Sequence, residues 1–398
     1  MPLEWNAEQG VRWRTPVPGR GLSSPVIVGG RIFLTSDTEG ETVPGVKAVP
    51  HTIGGKPFVH PDSMGANLKH HLQVICLDAA SGKMLWSRTA YTGTAFDDRH
   101  RKGSYAAPTI AAEADRVFAF FGGEGLYCYD FRGTLIWSNR VGGIAQWGMG
   151  PGTSPVLSKT AVIIQCDQTT ETNSFMAAFD KRTGREVWRT ARQVSPSWAT
   201  PVVVAFQGRE QIVASGSESV TAYDAATGKE IWWHEGLTNN AVPSPVVGND
   251  MVYFAAGYPK KRTLAIQLGG RGDITGSTNL IWEYNRGSAY VPSPLLLGQD
   301  FYLMTDGGAL TCLDARTGEV RYDSERLPSP ARFTASPVAV DGHLLLTSEE
   351  GDTFVVKAGT KHEVVRKNPV GEKVFASLAL AEGHIFIRGE TNLFCIGK

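Results

Sequence analysis

The residues best suited to chemistry lie in three segments where this sequence departs from its own repeating pattern. Residues 37–72 contain four histidines, residues 97–105 are rich in arginine, histidine and lysine, and residues 146–152 place Trp147 among glycines. Arginine and histidine close to aromatic planes suit a flat, polar or anionic ligand, such as a sugar, a quinone carboxylate or a peptide end. These segments therefore predict a binding face.

Further aromatic and cationic residues stand just before the repeating apolar stretches, so they would lie at the same face as the three segments. The candidate ligand-binding residues are Arg20, Arg99, His100, Arg101, Lys102, Tyr105, Trp147, Trp198, Asn240, Tyr290, Arg332, Phe333 and Phe375. An alternative interpretation is that the aromatic residues close a channel while the charged residues form a solvated rim. The sequence leaves both interpretations open.

Neither a metal site nor a catalytic pair can be located from residue spacing. The histidines show no HxH or HExxH pattern, so we predict no metal site. The chain has no P-loop and no GxSxG elbow, and residues 269–272 lie in an extended turn rather than between a strand and a helix. The identity of any catalytic residue is therefore unknown at this stage.

The elements that must position these residues are about eight copies of one unit. Each unit has two alternating apolar stretches and closes on a glycine followed four positions later by an aromatic residue. The closing pairs are Gly82 to Trp86, Gly133 to Trp137, Gly184 to Trp188, Gly228 to Trp232 and Gly318 to Tyr322. The units open at Pro25, Pro108, Pro155, Pro201, Pro245, Pro294, Pro337 and Leu378. After the first interval, which carries an insertion, the openers are 41 to 49 residues apart, a period that predicts four-stranded propeller blades.

The two ends of the chain predict how the blades are completed. Residues 375–398 supply the start of an eighth blade but stop before its aromatic closing strand, and residues 10–16 form an orphan closing strand ahead of the first opener. A ring of blades has no free sheet edge only if these two pieces join. We therefore predict an all-β, eight-bladed β-propeller closed by the N-terminal strand. It would form one domain over residues 1–398, with residues 37–72 inserted in blade 1.

Two recurring positions have a structural interpretation. An aspartate before each closing glycine, as at Asp180 and Asp224, fits a tight turn better than a ring of calcium ligands. Four of the five cysteines take a strand position that carries Ala or Val in the other blades. We therefore expect these cysteines to be small core residues rather than disulfides or metal ligands.

Composition excludes several classes of partner. The net charge is zero and the isoelectric point is about 7.1, which argues against nucleic acid and anionic membranes as partners. No run of 18 or more apolar residues predicts a transmembrane segment, and the N-terminus lacks the pattern of a signal peptide. We expect a monomer.

The segment from Tyr223 to Trp232 reads YDAATGKEIW, and similar segments recur along essentially the whole chain. This pattern resembles the tryptophan-docking repeat of the bacterial PQQ-binding-like, or quinoprotein-type, β-propellers. The stretches PGRGLSSP at residues 18–25 and RHRKGSY at residues 99–105 are similar to stretches of the same family. The resemblance extends to outer-membrane assembly lipoproteins, which are scaffolds without a cofactor. It implies a periplasmic or exported protein.

The same resemblance includes quinone-dependent alcohol dehydrogenases, which typically carry an adjacent pair of cysteines above the quinone (PQQ) and a calcium site. No two cysteines are adjacent here. We therefore expect a non-catalytic recognition or scaffolding propeller without a cofactor. It would bind a small molecule, glycan, peptide or protein partner through the face that carries residues 37–72. The alternative is a PQQ- and calcium-dependent dehydrogenase, or another enzyme that acts on a carbohydrate-like substrate at that face.

Overall fold

Eight sheets of four or five strands make up most of the computed structural model, which describes residues 1–397. Each sheet corresponds to one predicted blade, so the prediction of an eight-bladed β-propeller is confirmed. Within the described residues the only helices are two single 3₁₀ turns, Gly122–Glu124 and Glu171–Asn173. The chain divides into two compact units, residues 15–196 and residues 1–14 with the chain from 197 onward. That one domain spans the chain stays a prediction.

Residues 15–196 contain three blades and the insertion. Blade 1 consists of β2 (Val26–Val28), β3 (Arg31–Thr42), β7 (Leu68–Asp78) and β8 (Met84–Gly93). Blade 2 consists of β10 (Ala111–Glu113), β11 (Arg116–Phe120), β12 (Leu126–Asp130) and β13 (Leu135–Asn139). Blade 3 consists of β14 (Val156–Leu157), β15 (Ala161–Cys166), β16 (Phe175–Asp180) and β17 (Glu186–Ala191). The insertion adds β4 (His51–Ile53), β5 (Lys56–Phe58) and β6 (Ser63–Met64), and β9 (Arg99–His100) follows blade 1.

The second unit contains the other five blades. Blade 4 consists of β18 (Val202–Phe206), β19 (Arg209–Ser215), β20 (Ser219–Asp224) and β21 (Glu230–Glu235). Blade 5 consists of β22 (Val246–Gly248), β23 (Met251–Ala256), β24 (Arg262–Gln267) and β26 (Leu280–Tyr284), and its β25 (Gly272–Asp273) joins blade 4 as a fifth strand. Blade 6 consists of β27 (Leu295–Leu297), β28 (Asp300–Met304), β29 (Ala309–Asp314) and β30 (Val320–Arg326). Blade 7 consists of β31 (Val338–Val340), β32 (His343–Thr347), β33 (Asp352–Lys357) and β34 (Val364–Pro369).

The eighth blade is completed by the N-terminal strand, as predicted. Its strands β35 (Ala379–Ala381), β36 (His384–Arg388) and β37 (Asn392–Ile396) are followed in the sheet by β1 (Val11–Pro16). The backbone N–H of Gly397 donates to the Gly10 carbonyl at 3.0 Å next to this pairing. The N-terminal strand therefore covers an edge of β37 that would otherwise be open.

The hairpin of the third and fourth strands shows why the repeat has its residue pattern. In blade 3 the Asp180 carboxylate accepts hydrogen bonds from the backbone N–H and the hydroxyl of Thr183, both at 2.8 Å. Gly184 then takes a φ of +72°, which favours glycine. Trp188 faces the small Ala178 across the hairpin, where the register shifts. The equivalent small positions opposite an aromatic residue are Cys76, Cys128 and Cys312; all five cysteines are buried and free of disulfides.

Neighbouring blades are joined through the closing tryptophans. The Trp137 indole N–H donates to the Lys181 carbonyl of the next blade at 3.1 Å. A Cβ added to Gly184 would lie 2.6 Å from the Trp137 ring, so only glycine allows this approach. Trp86 and Trp282 make the corresponding indole hydrogen bonds to the blades that follow them, each at 2.9 Å. Each apolar cluster of the core accordingly draws its residues from two adjacent blades.

Serine and threonine hydroxyls also join the innermost strands of neighbouring blades. The backbone N–H of Ser244 donates to Ser293 Oγ at 2.9 Å, and the N–H of Ser293 donates to Ser336 Oγ at 3.0 Å. The same link runs from Ser24 to Thr109 and from Thr109 to Ser154. Thr109 therefore takes the role of the opening serine in blade 2. The predicted opener of that blade, Pro108, stands two positions before the place that the prolines take in the other blades, which here is Ile110.

Candidate functional site

The insertion is carried on two strands that extend beyond the rest of blade 1. Strands β3 and β7 stay paired from Arg31 and Asp78 as far as Thr42 and Leu68. Past this ribbon, β4 and β5 form a two-stranded hairpin. Strand β6 pairs with β9, which belongs to the connection between blades 1 and 2. The insertion is therefore held by hydrogen-bonded strands at its base and along its return path.

A buried histidine and aspartate fasten the hairpin to the connection. The Nε2 atom of His51 lies 2.8 Å from Asp97 Oδ1, and both side chains are buried. The other oxygen of Asp97 accepts backbone N–H bonds from Gln146 at 2.8 Å and from Gly148 at 3.2 Å. The Tyr105 hydroxyl donates to the Asp97 carbonyl at 2.7 Å. Asp97 thus brings together all three segments that depart from the repeat.

A second buried pair lies at the base of the ribbon. His70 Nδ1 contacts the Asp37 carboxylate at 2.9 Å, and His70 Nε2 contacts the Gly65 carbonyl at 2.8 Å. Since both partners can only accept, both ring nitrogens donate and the imidazole is cationic. Burial alone lowers the pKa of His70, but the hydrogen bond and charge of Asp37 outweigh it and raise the pKa above its usual value. This is a structural ion pair.

The only cluster of metal-ligand side chains found in residues 1–397 is formed by Asp37, Glu39 and His70, whose donor atoms lie within 4.8 Å of one another. Both nitrogens of His70 are occupied by hydrogen-bond acceptors. The Glu39 carboxylate forms an ion pair with the buried Arg99 guanidinium. A cation would have to displace two ion pairs and deprotonate the histidine, so these residues do not suit a metal ion.

A buried carboxyl group lies next to this network. One oxygen of Glu124 accepts the Phe96 backbone N–H at 2.9 Å. Burial raises the pKa of Glu124 from 4.5 to about 7. Asp97, Tyr105 and Gln146 line a cavity of about 10 Å³ beside it, which is room for about one water molecule. The Glu124 carboxyl can therefore hold or release a proton near neutral pH, but the cavity has no room for a substrate.

The predicted ligand-binding residues that lie within residues 15–196 have different environments. Arg99 and Tyr105 are buried, so they support the insertion rather than form its surface. His100 and Arg101 both contact Asp62, at 3.4 Å and 2.6 Å. The remaining three, Arg20, Lys102 and Trp147, are partly exposed. Arg20 is hydrogen-bonded to Asp37 through its backbone. The backbone N–H of Lys102 donates to His100 Nδ1, and that of Trp147 donates to Thr169 Oγ1. The structure brings these seven residues together around the insertion.

The predicted ligand-binding residues from position 197 onward each stand just before the innermost strand of a blade. Phe333 is buried against Phe354, whereas Tyr290 and Arg332 are exposed. The Tyr290 ring lies 5.4 Å from that of Tyr258. The partly buried residues are Trp198, Asn240 and Phe375. Their role in binding a ligand stays a prediction.

Apolar side chains of the insertion face solvent. Val59 is 80% exposed and Ile53 is 48% exposed, and both adjoin the β4–β5 hairpin. Met64 of β6 and Phe96 of the connection are exposed as well. Strands β4 and β5 form a sheet of their own, so no further strand of residues 1–397 pairs with their outer edges. Exposed apolar residues beside a free strand edge are typical of protein-binding surfaces.

Comparisons with known proteins agree with this architecture. Residues 171–332 match the family model described as "Outer membrane protein assembly factor BamB". The structure of BamB from Moraxella catarrhalis aligns with a TM-score of 0.61 and 12% identity, covering 97% of this chain and 98% of that chain. The chain is an eight-bladed β-propeller that is similar to BamB. A europium-containing methanol dehydrogenase aligns with a TM-score of 0.60 and 11% identity, over 96% of this chain and 86% of that one.

A relative with an assigned activity is also similar to this propeller in sequence. Tetrathionate hydrolase of Acidithiobacillus ferrooxidans is 23% identical over 277 residues, which are 58% of this chain and 53% of that enzyme. The chain thus spans about half the length of this relative. An assembly factor and a dehydrogenase share the fold, and a hydrolase is similar in sequence, so the fold alone selects no activity. Across residues 1–397, no helix has the length and apolar character needed to cross a membrane.

Three residues of the buried network beside the insertion were not predicted from sequence. Asp37 and Asp97 lie in the segments singled out, but their histidine partners are 33 and 46 positions away in the chain. Spacing gives no sign of such pairs. Glu124 is the only acidic residue in the glycine-rich turn 122–125, and a lone charge among glycines was the signal that could have drawn attention to it.

Proposed function

We propose that this PQQ-like propeller is a non-catalytic scaffold that binds a protein partner through the insertion of blade 1. We further propose that it acts outside the cytoplasm, in the periplasm of a bacterium. Similarity to BamB, an outer membrane protein assembly factor, supports both parts of the proposal.

The observation that carries this proposal is how the insertion uses its histidines. His51 and His70 pair with buried aspartates. His60 accepts the Asp62 backbone N–H at 3.1 Å, and His71 contacts the Thr92 hydroxyl at 3.2 Å. All four side chains therefore hold the insertion in place. The imidazole groups, which are the side chains of the insertion most able to do chemistry, thus have structural contacts. Apolar residues such as Ile53 and Val59 are exposed instead.

The exposed groups favour a protein over a small ligand. The β4–β5 hairpin offers backbone donors and acceptors along its edges, and Ile53 and Val59 offer apolar area beside them. An extended segment of a partner can add to such an edge, with its side chains placed against the apolar residues. A glycan would favour aromatic planes with polar neighbours instead.

We propose that the propeller works without quinone or calcium. The five cysteines lie apart in the sequence, so the adjacent pair expected above a quinone is missing. The Asp37, Glu39 and His70 cluster is engaged in ion pairs. The structural likeness to methanol dehydrogenase supports an alternative. In that alternative the protein is a quinone-dependent dehydrogenase or an enzyme that acts on a carbohydrate-like substrate.

The test is a crosslinking experiment with a matched control. A photo-reactive residue at position 56 of the hairpin is irradiated in periplasmic extract of the source bacterium, and the captured protein is identified and then purified for titration. Ile53→Asp with Val59→Asp should abolish its binding, because two charges would be buried at the interface. Leu135→Asp with Val187→Asp, at exposed positions of blades 2 and 3, should leave the affinity unchanged.

Two outcomes would count against the proposal. One is equal binding of the purified partner by the hairpin variant and the control variant. The other is an absorbance spectrum of bound quinone, with turnover of an alcohol, after the protein is incubated with quinone and calcium. The second result would favour the dehydrogenase.

A further inference from the structure

A groove of about 610 Å³ lies on blade 4, away from every residue predicted for ligand binding. It is lined by the turn between β18 and β19, the turn between β20 and β21, and residues 269–271. In the same blade, Trp198 precedes β18 and Asn240 follows β21, so both lie at the opposite ends of these strands. Small-molecule sites commonly have volumes of roughly 300–1,000 Å³.

The groove exists because blade 5 departs from the repeat. The connection from β24 to β26 is long enough to cross onto blade 4, where β25 pairs in parallel with β21. Gly270 makes the crossing compact, since an added Cβ would lie 2.8 Å from the Ile274 side chain. The connection forms the outer wall of the groove and places Arg271 on it. The glycine-rich residues 269–272 thus have a structural role.

A buried side chain with an unsatisfied polar atom lines the groove. Gln211 of β19 is 7% exposed, and its Oε1 atom has no hydrogen-bond partner among the described residues. The pairing of β19 with β20 places Gln211 opposite Asp224. In other blades, polar residues at the position equivalent to Gln211 have hydrogen-bond partners. Arg31 donates to the Phe131 carbonyl, Arg116 to the Lys181 carbonyl, and Asp300 accepts from Arg321. An unpaired buried amide is unfavourable in the free protein.

Three cationic side chains line the same groove as this amide. Arg209, Lys229 and Arg271 line the groove, and none of them has a carboxylate within 4.0 Å among residues 1–397. Of the two acidic residues that line it, Asp224 accepts three hydrogen bonds from residues 226 and 227 through one oxygen. Unpaired guanidinium groups around a concave surface favour an anion, most of all a carboxylate.

Apolar surface completes the lining. Phe206 and Ile231 are partly buried and lie at the walls. A ring face of a sugar can contact such side chains while its hydroxyl groups reach the amide. A hydroxyl both donates and accepts, so it matches a glutamine amide in either orientation.

We infer that this groove binds a sugar acid, with its carboxylate held by Arg209 and Arg271 and a ring hydroxyl bonded to Gln211. This site is independent of the insertion and of the partner proposed for it.

The test uses calorimetric titration of the whole protein with three probes. D-Galacturonate carries the ring, the hydroxyls and the carboxylate; D-galactose lacks the carboxylate; cyclohexanecarboxylate lacks the hydroxyls. We expect saturable binding of D-galacturonate that weakens as salt is added, and at least about tenfold weaker binding of the other two probes. Binding of either control probe as tightly as D-galacturonate, or no saturable binding of D-galacturonate, would overturn the assignment.

Two variants and one control assign the site to these residues. Gln211→Met should weaken binding about tenfold without lowering the melting temperature, because blade 5 already carries Met251 at the equivalent position. Arg209→Gln with Arg271→Gln should weaken it by at least that factor. Arg182→Gln, in the corresponding turn of blade 3, should leave it unchanged. A Gln211→Met protein with the parent affinity would refute the proposed contact.

Discussion

Replacing Glu124 by glutamine should change how the stability of the protein depends on pH. The Glu124 pKa is raised from 4.5 to about 7 because the carboxyl is buried. As the pH rises from 4.5 to 7, the unfolded chain loses this proton before the folded chain does. The free energy of unfolding therefore falls through that window and levels off above it. At ~1.4 kcal/mol per pKa unit, the loss is about 3 kcal/mol.

Glu124→Gln keeps an oxygen for the Phe96 N–H but cannot ionise. Its stability relative to the parent should therefore rise by about 2 to 3 kcal/mol between about pH 5 and pH 8. Urea unfolding followed by tryptophan fluorescence measures both proteins at each pH. Glu319→Gln, at an exposed turn, is the control and should show no such trend. A Glu124→Gln difference that stays constant with pH would refute burial as the cause of the raised pKa.

Two further variants test the joints between blades. Ser293→Ala removes the hydroxyl that accepts the Ser244 N–H, so the free energy of unfolding should fall by about 1 kcal/mol; Ser293→Thr should restore it, and no loss in the alanine variant would contradict the link. Gly184→Ala places a methyl group against an indole ring, whereas Gly208→Ala has nothing within 4 Å at a similar φ. Denaturant unfolding should show that the free energy of unfolding falls by about 1 to 3 kcal/mol more in the Gly184 variant than in the Gly208 variant. Equal losses in the two variants would mean that the ring contact is unimportant.

Local sequence signals were sufficient to predict the blades. The aspartate, glycine and aromatic residue of each closing hairpin lie within about ten residues, and turn geometry at Asp180 and Gly184 follows from them directly. The completion of blade 8 by residues 11–16 followed from counting strands at the two ends. The closing pair occurs in five blades and a Ser-Pro or Thr-Pro opener in six, so one misread copy is corrected by the others. Blade 2 is such a copy, with its hydroxyl at Thr109.

The candidate site was less predictable because its contacts occur once and join distant residues. Nothing in the residue spacing reveals that Asp37 meets His70 or that Glu39 meets Arg99, since these pairs depend on the register of an extended ribbon and on the segment that packs against it. Likewise, the sequence does not indicate that residues 272 and 273 leave blade 5 to pair with blade 4. Aromatic and cationic composition marked three segments that the structure brings together around Asp97. It could not separate exposed residues from those buried as support, such as Tyr105.

The hydroxyl links between innermost strands bear on how such a chain can change in length. Each repeat brings one acceptor hydroxyl and one donor N–H, as Ser244 and Ser293 illustrate. A duplicated repeat would therefore arrive with both halves of the joint, and a deleted repeat would remove both. Duplicating one repeat therefore leaves no hydroxyl or backbone N–H without a partner where the new blade meets its neighbours. The number of repeats is then limited by the angle between adjacent sheets rather than by the chemistry that joins them.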